Sequence, residues 1–401
     1  LSLHDALPIY YDFFLNLPEI DRTKLERIDI RTSQLITPLF EYSGACSGCG
    51  ETPYIKLLTQ LYGDRMLIAN ATGCSSIYGG NLPSTPYTTD ANGRGPAWAN
   101  SLFEDNAEFG LGFRLTVDQH RVRVMRLLEQ FADNIPAELN DALHAEATPE
   151  VRREQVAALR QHLKDVEGAQ QLLTDADALV EKSIWLIGGD GWAYDIGFGG
   201  LDHVLSLTEN VNILVLDTQC YSNTGGQASK ATPLGAVTKF GEHGKRKARK
   251  DLGVSMMMYG HVYVAQISLG AQLNQTVKAI QEAEAYPGPS LIIAYSPCEE
   301  HGYDLALSHD QMRQLTATGF WPLYRFDPRR ANEGKLPLAL DSRPPSDALA
   351  ETLLNEQRFR RLNAQQPEVA EQLWKDATAD LQKRYDFLAQ LAGKAEKSGA
   401  E

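Results

Sequence analysis

The sequence lacks the features of a membrane protein and of a nucleic-acid-binding protein. No run of about 18 apolar residues occurs, so no membrane span is expected. The 401 residues carry a net charge of −14, which argues against general binding to nucleic acids or to membrane surfaces. The first residues have neither a basic region nor a long apolar core, so no signal peptide is expected. A soluble protein of two or three domains is the predicted class.

Cysteine is scarce, and its number argues against a framework of disulfides. An odd count in a chain without a signal peptide predicts a cytoplasmic location and a metal or redox use for the thiols. The chain also has no initiator methionine, so we expect it to begin inside a longer protein. The five cysteines are Cys46, Cys49, Cys74, Cys220 and Cys298.

Short apolar runs closed by turn residues recur along the chain, as expected for buried parallel strands. Helical patterns alternate with these runs, one of them over 272–285 and another with Thr52 as N-cap and Pro53 at the first helical position. This alternation predicts an α/β fold with a doubly wound, mostly parallel sheet. The predicted strands are 66–71, 184–187, 211–216, 262–267 and 290–295.

Composition divides the chain into three parts. Residues 1–40 are weakly patterned and are interpreted as a connecting segment, and residues 41–326 as the main domain. Within that domain, 115–180 are charged and carry an apolar stripe, which predicts a helical insertion. In 327–401, Pro337, Pro344 and Pro345 predict an extended linker before a charged helical tail that either clasps a partner subunit or caps the domain.

A turn with ligand-binding chemistry follows the predicted strand at 184–187. Open α/β sheets bind ligands at the carboxyl ends of their strands. Gly189 and Gly191 flank Asp190 and allow a bulky ligand to approach the backbone closely. A carboxylate is a hard oxygen ligand suited to Mg²⁺.

A second turn follows the strand at 211–216, at the same predicted edge of the sheet. Thr218 supplies a second oxygen ligand and the backbone carbonyl of Cys220 a third, while Asn223 adds an amide to the same cleft. A Gly-Asp-Gly sequence followed at this distance by an asparagine-bearing turn resembles the thiamine diphosphate motif.

Four of the cysteines fall on glycine-rich loops or after predicted strands. Cys46 and Cys49 form a Cys-x-x-Cys pair among glycines, Cys74 follows 66–71, and Cys298 follows 290–295. Four thiolates suit a [4Fe–4S] cluster or a zinc ion. The Cys-x-x-Cys pair alone also fits a thioredoxin-like site.

Five of the eight residues at 243–250 are basic, in an otherwise acidic chain. A solvated or salt-bridged loop is the simpler interpretation. The alternative is a docking patch for an acidic partner or a phosphorylated substrate.

The motifs at 42–54, 189–197, 221–227 and 295–298 resemble those of the pyruvate:ferredoxin (flavodoxin) oxidoreductases, over nearly the whole chain. The resemblance implies oxidative decarboxylation of pyruvate with coenzyme A to acetyl-CoA and CO₂. The electrons would pass through a [4Fe–4S] cluster to ferredoxin or flavodoxin. It also implies a homodimer, and a chain that corresponds to the C-terminal third of the enzyme. We therefore expect it to need the N-terminal domains for activity.

The same resemblance assigns roles to individual residues. Cys46, Cys49, Cys74 and Cys298 would hold the cluster. Asp190, Thr218 and the Cys220 carbonyl would bind Mg²⁺, and Asn223 would be the catalytic residue beside the substrate. The sequence departs from the family pattern at Cys220, where an apolar residue such as valine is expected. The implied thiamine diphosphate contacts are Glu51, Cys74, Gly189, Asp190, Gly191, Trp192, Thr218, Gln219, Cys220, Tyr221, Ser222 and Asn223.

Three other interpretations stay open. The chain could be the thiamine-binding portion of an enzyme for another 2-oxoacid. It could be a non-redox protein whose four cysteines hold structural zinc. It could also be a thiamine-binding interaction module that never reduces an acceptor.

Overall fold

The computed structural model describes residues 9–14, 16–20, 24–80, 83–346 and 348–394. Its centre is one eight-stranded sheet with the spatial order β2-β1-β3-β4-β6-β5-β7-β8. The six strands from β2 to β5 in that order run parallel, and β7 and β8 are antiparallel to their neighbours. The strands are β1 Met66–Asn70, β2 Ala97–Asn100, β3 Ser183–Gly189, β4 Asn212–Asp217, β5 Tyr263–Ile267, β6 Ser290–Tyr295, β7 Tyr324–Phe326 and β8 Leu338–Leu340.

Helices cover both faces of the sheet, so the predicted doubly wound α/β fold is confirmed. Successive residues of β3 alternate between two apolar clusters, with Leu186 in one and Ile187 in the other, as the pleat of a strand requires. The α-helices are α1 Ile30–Ser33, α2 Thr52–Tyr62, α3 Cys74–Gly79, α4 Asn106–Gln130, α5 Ala137–His144, α6 Pro149–Leu163, α7 Gln170–Asp175, α8 Phe198–Ser206, α9 Leu252–Met257, α10 Leu273–Glu284, α11 Ser308–Ala317, α12 Leu349–Leu353, α13 Gln357–Gln365 and α14 Pro367–Leu391. None of the helices in the described residues combines the length and apolar character that a membrane span requires.

All five predicted strands are present, and the three unpredicted strands are short. β2 has four residues and an exposed edge position, while β7 and β8 have three residues each. Runs this short carry too few residues to show an apolar pattern. The prediction of Thr52 as N-cap was wrong: Glu51 occupies that position, and the hydroxyl of Thr52 donates to the carbonyl of Cys49 at 3.3 Å.

The helices between β2 and β3 form a small core of their own. Val124, Leu128, Leu159 and Leu163 are buried together in it. The first of these helices begins at Asn106, nine residues before the predicted insertion, and its first turns pack on the sheet, where Gly110 meets Leu186.

The C-terminal region belongs to the main core. The stretch predicted as an extended linker contains β8, which pairs with β7, because a proline is tolerated just before a short edge strand. Phe359 and Leu362 of α13 and Leu388 of α14 are buried in the same apolar cluster as β4. The tail thus completes one face of the sheet.

Replacing Phe359 with alanine tests this placement of the tail. The side chain is fully buried, so Phe359→Ala is expected to lower the free energy of unfolding by about 3–5 kcal/mol. Phe387→Ala, at a site that is 42% exposed on α14, is the matched control and should change it by about 0.5 kcal/mol or less. Urea unfolding followed by tryptophan fluorescence measures both. Equal effects would contradict a core role for α13.

Candidate functional site

The parallel register places four loop-bearing strand ends side by side. Asn70 of β1 lies opposite Ile187 of β3, and Asp217 of β4 lies opposite Tyr295 of β6. The order β1-β3-β4-β6 makes these strands neighbours. The turns that carry the sequence-predicted residues therefore start from one edge of the sheet.

The turn after β3 is shaped for close backbone approach. Asp190 precedes a π-helical turn at Gly191–Ile196, a rare conformation that is frequent at functional sites. A Cβ atom at Gly191 would come within 2.6 Å of the Tyr221 ring, so the two turns can pack together only with glycine there.

The three oxygen ligands predicted for Mg²⁺ are brought together. The hydroxyl of Thr218 lies 3.0 Å from Oδ1 of Asp190 and 3.1 Å from the carbonyl oxygen of Cys220. The backbone N–H of Thr218 donates to the same carboxylate oxygen at 3.2 Å. One carboxylate, one hydroxyl and one carbonyl fit a hard cation that completes its shell with phosphate and water.

The charges of the two buried carboxylates at this edge, Asp190 and Asp217, are balanced in different ways. Asp217 accepts hydrogen bonds from Arg249 and from the hydroxyl of Tyr194, both at 2.8 Å. Asp190 is fully buried and accepts from the neutral donors Thr218 and Ser229. Burial and the nearby charge of Asp217 raise the pKa of Asp190 to about 8. A divalent cation beside Asp190 would stabilise its charged form.

The four predicted cluster cysteines line one cavity of about 170 Å³, which Glu51, Thr218, Ser222 and Asn223 share. One backbone contact and one side-chain contact assemble it. The N–H of Gly50 donates to the carbonyl of Pro297 at 2.9 Å, which docks the Cys-x-x-Cys loop on the Cys298 loop. The thiol of Cys74, at the start of α3, lies 3.3 Å from the hydroxyl of Ser222.

The four cysteines are arranged around the cavity rather than around one point. In the described part of the chain, no three Cys, His, Asp or Glu side chains converge closely enough to hold one metal ion. The four cysteines surround a space instead. Burial, and then the charge of Glu51, raises the pKa of Cys49 and of Cys74 to about 12. Metal binding would therefore release protons here.

Glu51 is a buried carboxyl in the wall of this cavity. It is 3% exposed and accepts a hydrogen bond from the Tyr78 hydroxyl at 2.9 Å. Burial raises its pKa to about 7. At neutral pH the group can hold a proton inside the cavity or give it up.

Several predicted cofactor contacts lie away from this cavity. Trp192 is fully buried between Gly188 and Gly197, within the apolar core. Gln219 and Cys220 line a neighbouring cavity of about 530 Å³. Tyr221 packs against Gly191 and Phe103. The contacts proposed for Trp192 and Gln219 would have to come from their backbone atoms.

Cys220 is nonetheless close to Cys298, one of the four cysteines that line the cavity. The hydrogen bond with the thiol of Cys220, together with burial, raises the pKa of Cys298. The two residues stand three positions beyond the paired strand ends Asp217 and Tyr295.

Sequence reasoning missed the residues that support these turns. Ser229 donates to Asp190, and the Nε2–H of the buried His301 donates to the carbonyl of Thr218 at 2.7 Å. Burial lowers the pKa of His301 well below its ordinary value, so its ring is neutral. The weak signals were that Ser229 follows the second turn closely and that His301 follows Cys298.

Three of the five cations in the basic segment 243–250 bind other groups of the protein, whereas Arg246 and Lys247 are exposed. Arg249 forms the buried ion pair with Asp217, and Lys245 donates to the carbonyls of Ser229 and Thr232 at 2.8 and 2.6 Å. The ammonium of Lys250 lies over the ring of Phe198. These three cations stabilise the loop itself, which agrees with the simpler interpretation of a salt-bridged loop and leaves Arg246 and Lys247 as the exposed cations for a docking patch.

Comparison with known proteins identifies relatives of the whole chain. A family model described as thiamine pyrophosphate enzyme, C-terminal TPP binding domain, matches residues 168–294. The chain is 93% identical over 393 residues to the probable pyruvate-flavodoxin oxidoreductase of Escherichia coli (strain K12), covering 98% of this chain and 34% of that protein. It is 55% identical over 399 residues to the pyruvate-flavodoxin oxidoreductase of Rhodospirillum rubrum, covering 97% of this chain and 33% of that protein.

The chain thus spans about a third of the length of the curated relatives it matches. A solved structure is also similar, that of 2-oxoglutarate:ferredoxin oxidoreductase from Magnetococcus marinus with 2-oxoglutarate, coenzyme A and succinyl-CoA bound. It aligns with 72% of this chain and 82% of its own, at 15% identity and a TM-score of 0.40.

The raised pKa of Asp190 predicts opposite effects on stability and on binding. Between about pH 4 and 8 the unfolded chain loses this proton while the folded chain keeps it, so the stability of the cofactor-free chain falls as pH rises. Asp190→Asn removes that titration. We expect it to raise the melting temperature without cofactor, more at about pH 7.5 than at about pH 5.5. Asp190→Asn should also abolish any rise in melting temperature on addition of Mg²⁺ and thiamine diphosphate.

Thermal unfolding with and without the cofactor measures both effects. Asp310→Asn, at an exposed carboxylate paired with Arg313, is the control and should leave both nearly unchanged. An Asp190→Asn chain that melts lower than the parent without cofactor at the higher pH, or that keeps the Mg²⁺-dependent rise, would contradict the role of Asp190.

Proposed function

The chain belongs to the pyruvate-flavodoxin oxidoreductase family, and we propose that it forms the part of the enzyme that holds Mg²⁺–thiamine diphosphate beside a [4Fe–4S] cluster. The observation that carries the proposal is a shared cavity. Four cysteines on three loops line it together with Thr218, Ser222 and Asn223, which belong to the oxygen-ligand turn. In this proposal the thiamine site and the thiol site would meet at one edge of the sheet.

We propose that the complete enzyme decarboxylates pyruvate oxidatively with coenzyme A to acetyl-CoA and CO₂, passing the electrons to flavodoxin or ferredoxin. The names of the relatives support pyruvate and flavodoxin. When bound, thiamine diphosphate supplies an electron sink for decarboxylation, and an iron–sulfur cluster accepts electrons one at a time. Coenzyme A, a homodimer, a cytoplasmic location and dependence on the N-terminal domains stay predictions.

The residues of this chain have distinct roles in the proposal. Asp190, Thr218 and the carbonyl of Cys220 would hold Mg²⁺, which anchors the diphosphate at the end of β3. Asn223, which is exposed and lines the thiol cavity, would donate to or accept from the substrate there as the proposed catalytic residue. Glu51 would hold or release a proton within the cavity, since its pKa is about 7.

Anaerobic reconstitution with iron and sulfide tests the proposal. We expect a brown protein whose visible absorbance bleaches with dithionite and which contains about four irons per chain. Cys298→Ser should lose most of this iron. Cys220→Ser is the matched control, because Cys220 lies next to Cys298 but is not a proposed cluster ligand, and it should keep the cluster. Zinc bound without iron or sulfide would favour the structural zinc site and overturn the redox proposal.

A further inference from the structure

Helix α13, in the C-terminal tail, contacts the turn at 218–222 through the buried ion pair of Glu356 and Arg358. Glu356 is fully buried and Arg358 is 5% exposed, and Nε of Arg358 donates to Oε2 of Glu356 at 2.6 Å. The other carboxylate oxygen of Glu356 accepts from Gln311 at 2.9 Å. The outer end of the guanidinium, Nη2, donates to Oε1 of Gln219 at 2.7 Å.

Gln219 has an unusual backbone conformation at a decisive position. Its φ is 61°, in the left-handed region that side-chain-bearing residues rarely adopt. It stands between Thr218 and Cys220, which supply the hydroxyl and the carbonyl of the proposed metal site. The φ of Gln219 therefore sets where the Cys220 carbonyl points relative to the Thr218 hydroxyl, 3.1 Å away.

Both backbone groups of Gln219 are fixed by neighbours of the site. Its N–H donates to Oδ1 of Asp217 at 3.1 Å, and its carbonyl accepts from the hydroxyl of Thr232 at 2.6 Å. The side chain is held by Arg358. Within the described residues, the buried Nε2 of Gln219 has no hydrogen-bond partner, so the bond from Arg358 to Oε1 determines how the amide is oriented.

The start of α13 is itself attached to the loops around the site. The N–H of Val237 donates to the carbonyl of Arg358 at 2.8 Å, and the N–H of Gln357 donates to the carbonyl of Gly302 at 3.1 Å. Gly302 directly follows His301, which holds the carbonyl of Thr218. These bonds hold the guanidinium of Arg358 at a fixed position relative to the turn that contains Thr218.

We propose that Arg358 is a positioning residue for the cofactor: it holds Gln219 in its left-handed conformation and so aims the Thr218 hydroxyl and the Cys220 carbonyl at Mg²⁺. The inference rests on the proposed function. Glu356 fixes the guanidinium, and the C-terminal tail thereby becomes part of the metal site although none of its residues is a ligand.

Binding of Mg²⁺ to the chain with excess thiamine diphosphate tests this, by isothermal titration calorimetry. Supporting residues of metal ligands typically contribute 10- to 100-fold to metal affinity, so Arg358→Met is expected to weaken binding by roughly that factor. Arg358→Lys should recover part of the loss, because it keeps a donor. Arg325→Met, which removes another ion-paired and largely buried arginine on β7, is the matched control and should lower the melting temperature without changing the affinity.

A double-mutant cycle separates positioning from general stability. Glycine adopts positive φ without strain and has no side chain to be held. In a Gln219→Gly chain, Arg358→Met should therefore weaken Mg²⁺ binding much less than in the parent chain. An equal loss in both backgrounds, or an Arg358→Met chain that binds like the parent, would overturn the proposal. If Arg358→Met does not fold, the cycle is run with Arg358→Lys.

Hydrogen exchange in the cofactor-free chain keeps the two proposals distinguishable. The amides of 218–222 should exchange faster in Arg358→Met than in the parent or in Arg325→Met. Failure of the parent chain to bind Mg²⁺–thiamine diphosphate would overturn the proposed function, and exchange at 218–222 would then decide the positioning role. Unchanged exchange there would overturn it.

Discussion

The parallel pairing of β4 with β6 is the constraint on which the candidate site depends. It runs from Asn212 opposite Ser290 to Asp217 opposite Tyr295, and the N–H of Ser296 extends it by donating to the carbonyl of Asp217 at 3.0 Å. The loops that follow must therefore leave the sheet side by side. Because one loop carries the predicted oxygen ligands and the other carries Cys298, this pairing brings the oxygen-ligand turn and the thiol cavity together. A slip of register by one residue would turn the side chains of a strand to the opposite face of the sheet.

Charge explains why this edge of the sheet favours a cation. Two carboxylates are fully buried there, and Asp217 is compensated by Arg249. Asp190 instead accepts hydrogen bonds from neutral hydroxyl groups, and its raised pKa is the consequence. A buried carboxylate of this kind destabilises the cofactor-free fold and is typical of a binding site rather than of a structural core. In the proposed function, the same residue would link stability, proton binding and metal binding.

Sequence reasoning was sufficient for features that local patterns encode. Five strands and the relation of the two turns followed from apolar runs that end in glycine and polar residues. The convergence of Asp190 with Thr218, and of Cys74 with Cys298, also followed, because parallel strands present their carboxyl ends at one edge. Among the residues that the structure describes, Cys46 and Cys49 follow no strand, and their place beside Cys74 and Cys298 was implied by the family resemblance. The short strands β2, β7 and β8 were missed because three or four residues show no period.

The remaining features depend on contacts between distant parts of the chain. Arg249 and Lys245 belong to a basic run that reads as surface, yet each meets buried partners at the site. Arg358 lies in a charged helical tail, 139 residues from Gln219 along the chain. Neither composition nor spacing indicates such pairings. The family resemblance implies a thiamine diphosphate contact at Trp192, and the ring packs in the core between Gly188 and Gly197, so that contact would come from the backbone.

In the proposed enzyme, the oxygen-ligand turn holds Mg²⁺–thiamine diphosphate next to the iron–sulfur cluster of the thiol cavity. Crystals of the anaerobically reconstituted chain with Mg²⁺ and thiamine diphosphate, measured at the iron absorption edge, test it most directly. We expect anomalous density for iron enclosed by Cys46, Cys49, Cys74 and Cys298, with the diphosphate and Mg²⁺ at Asp190 and Thr218. Iron bound elsewhere, a single zinc ion among the cysteines, or a diphosphate away from Asp190 would contradict it.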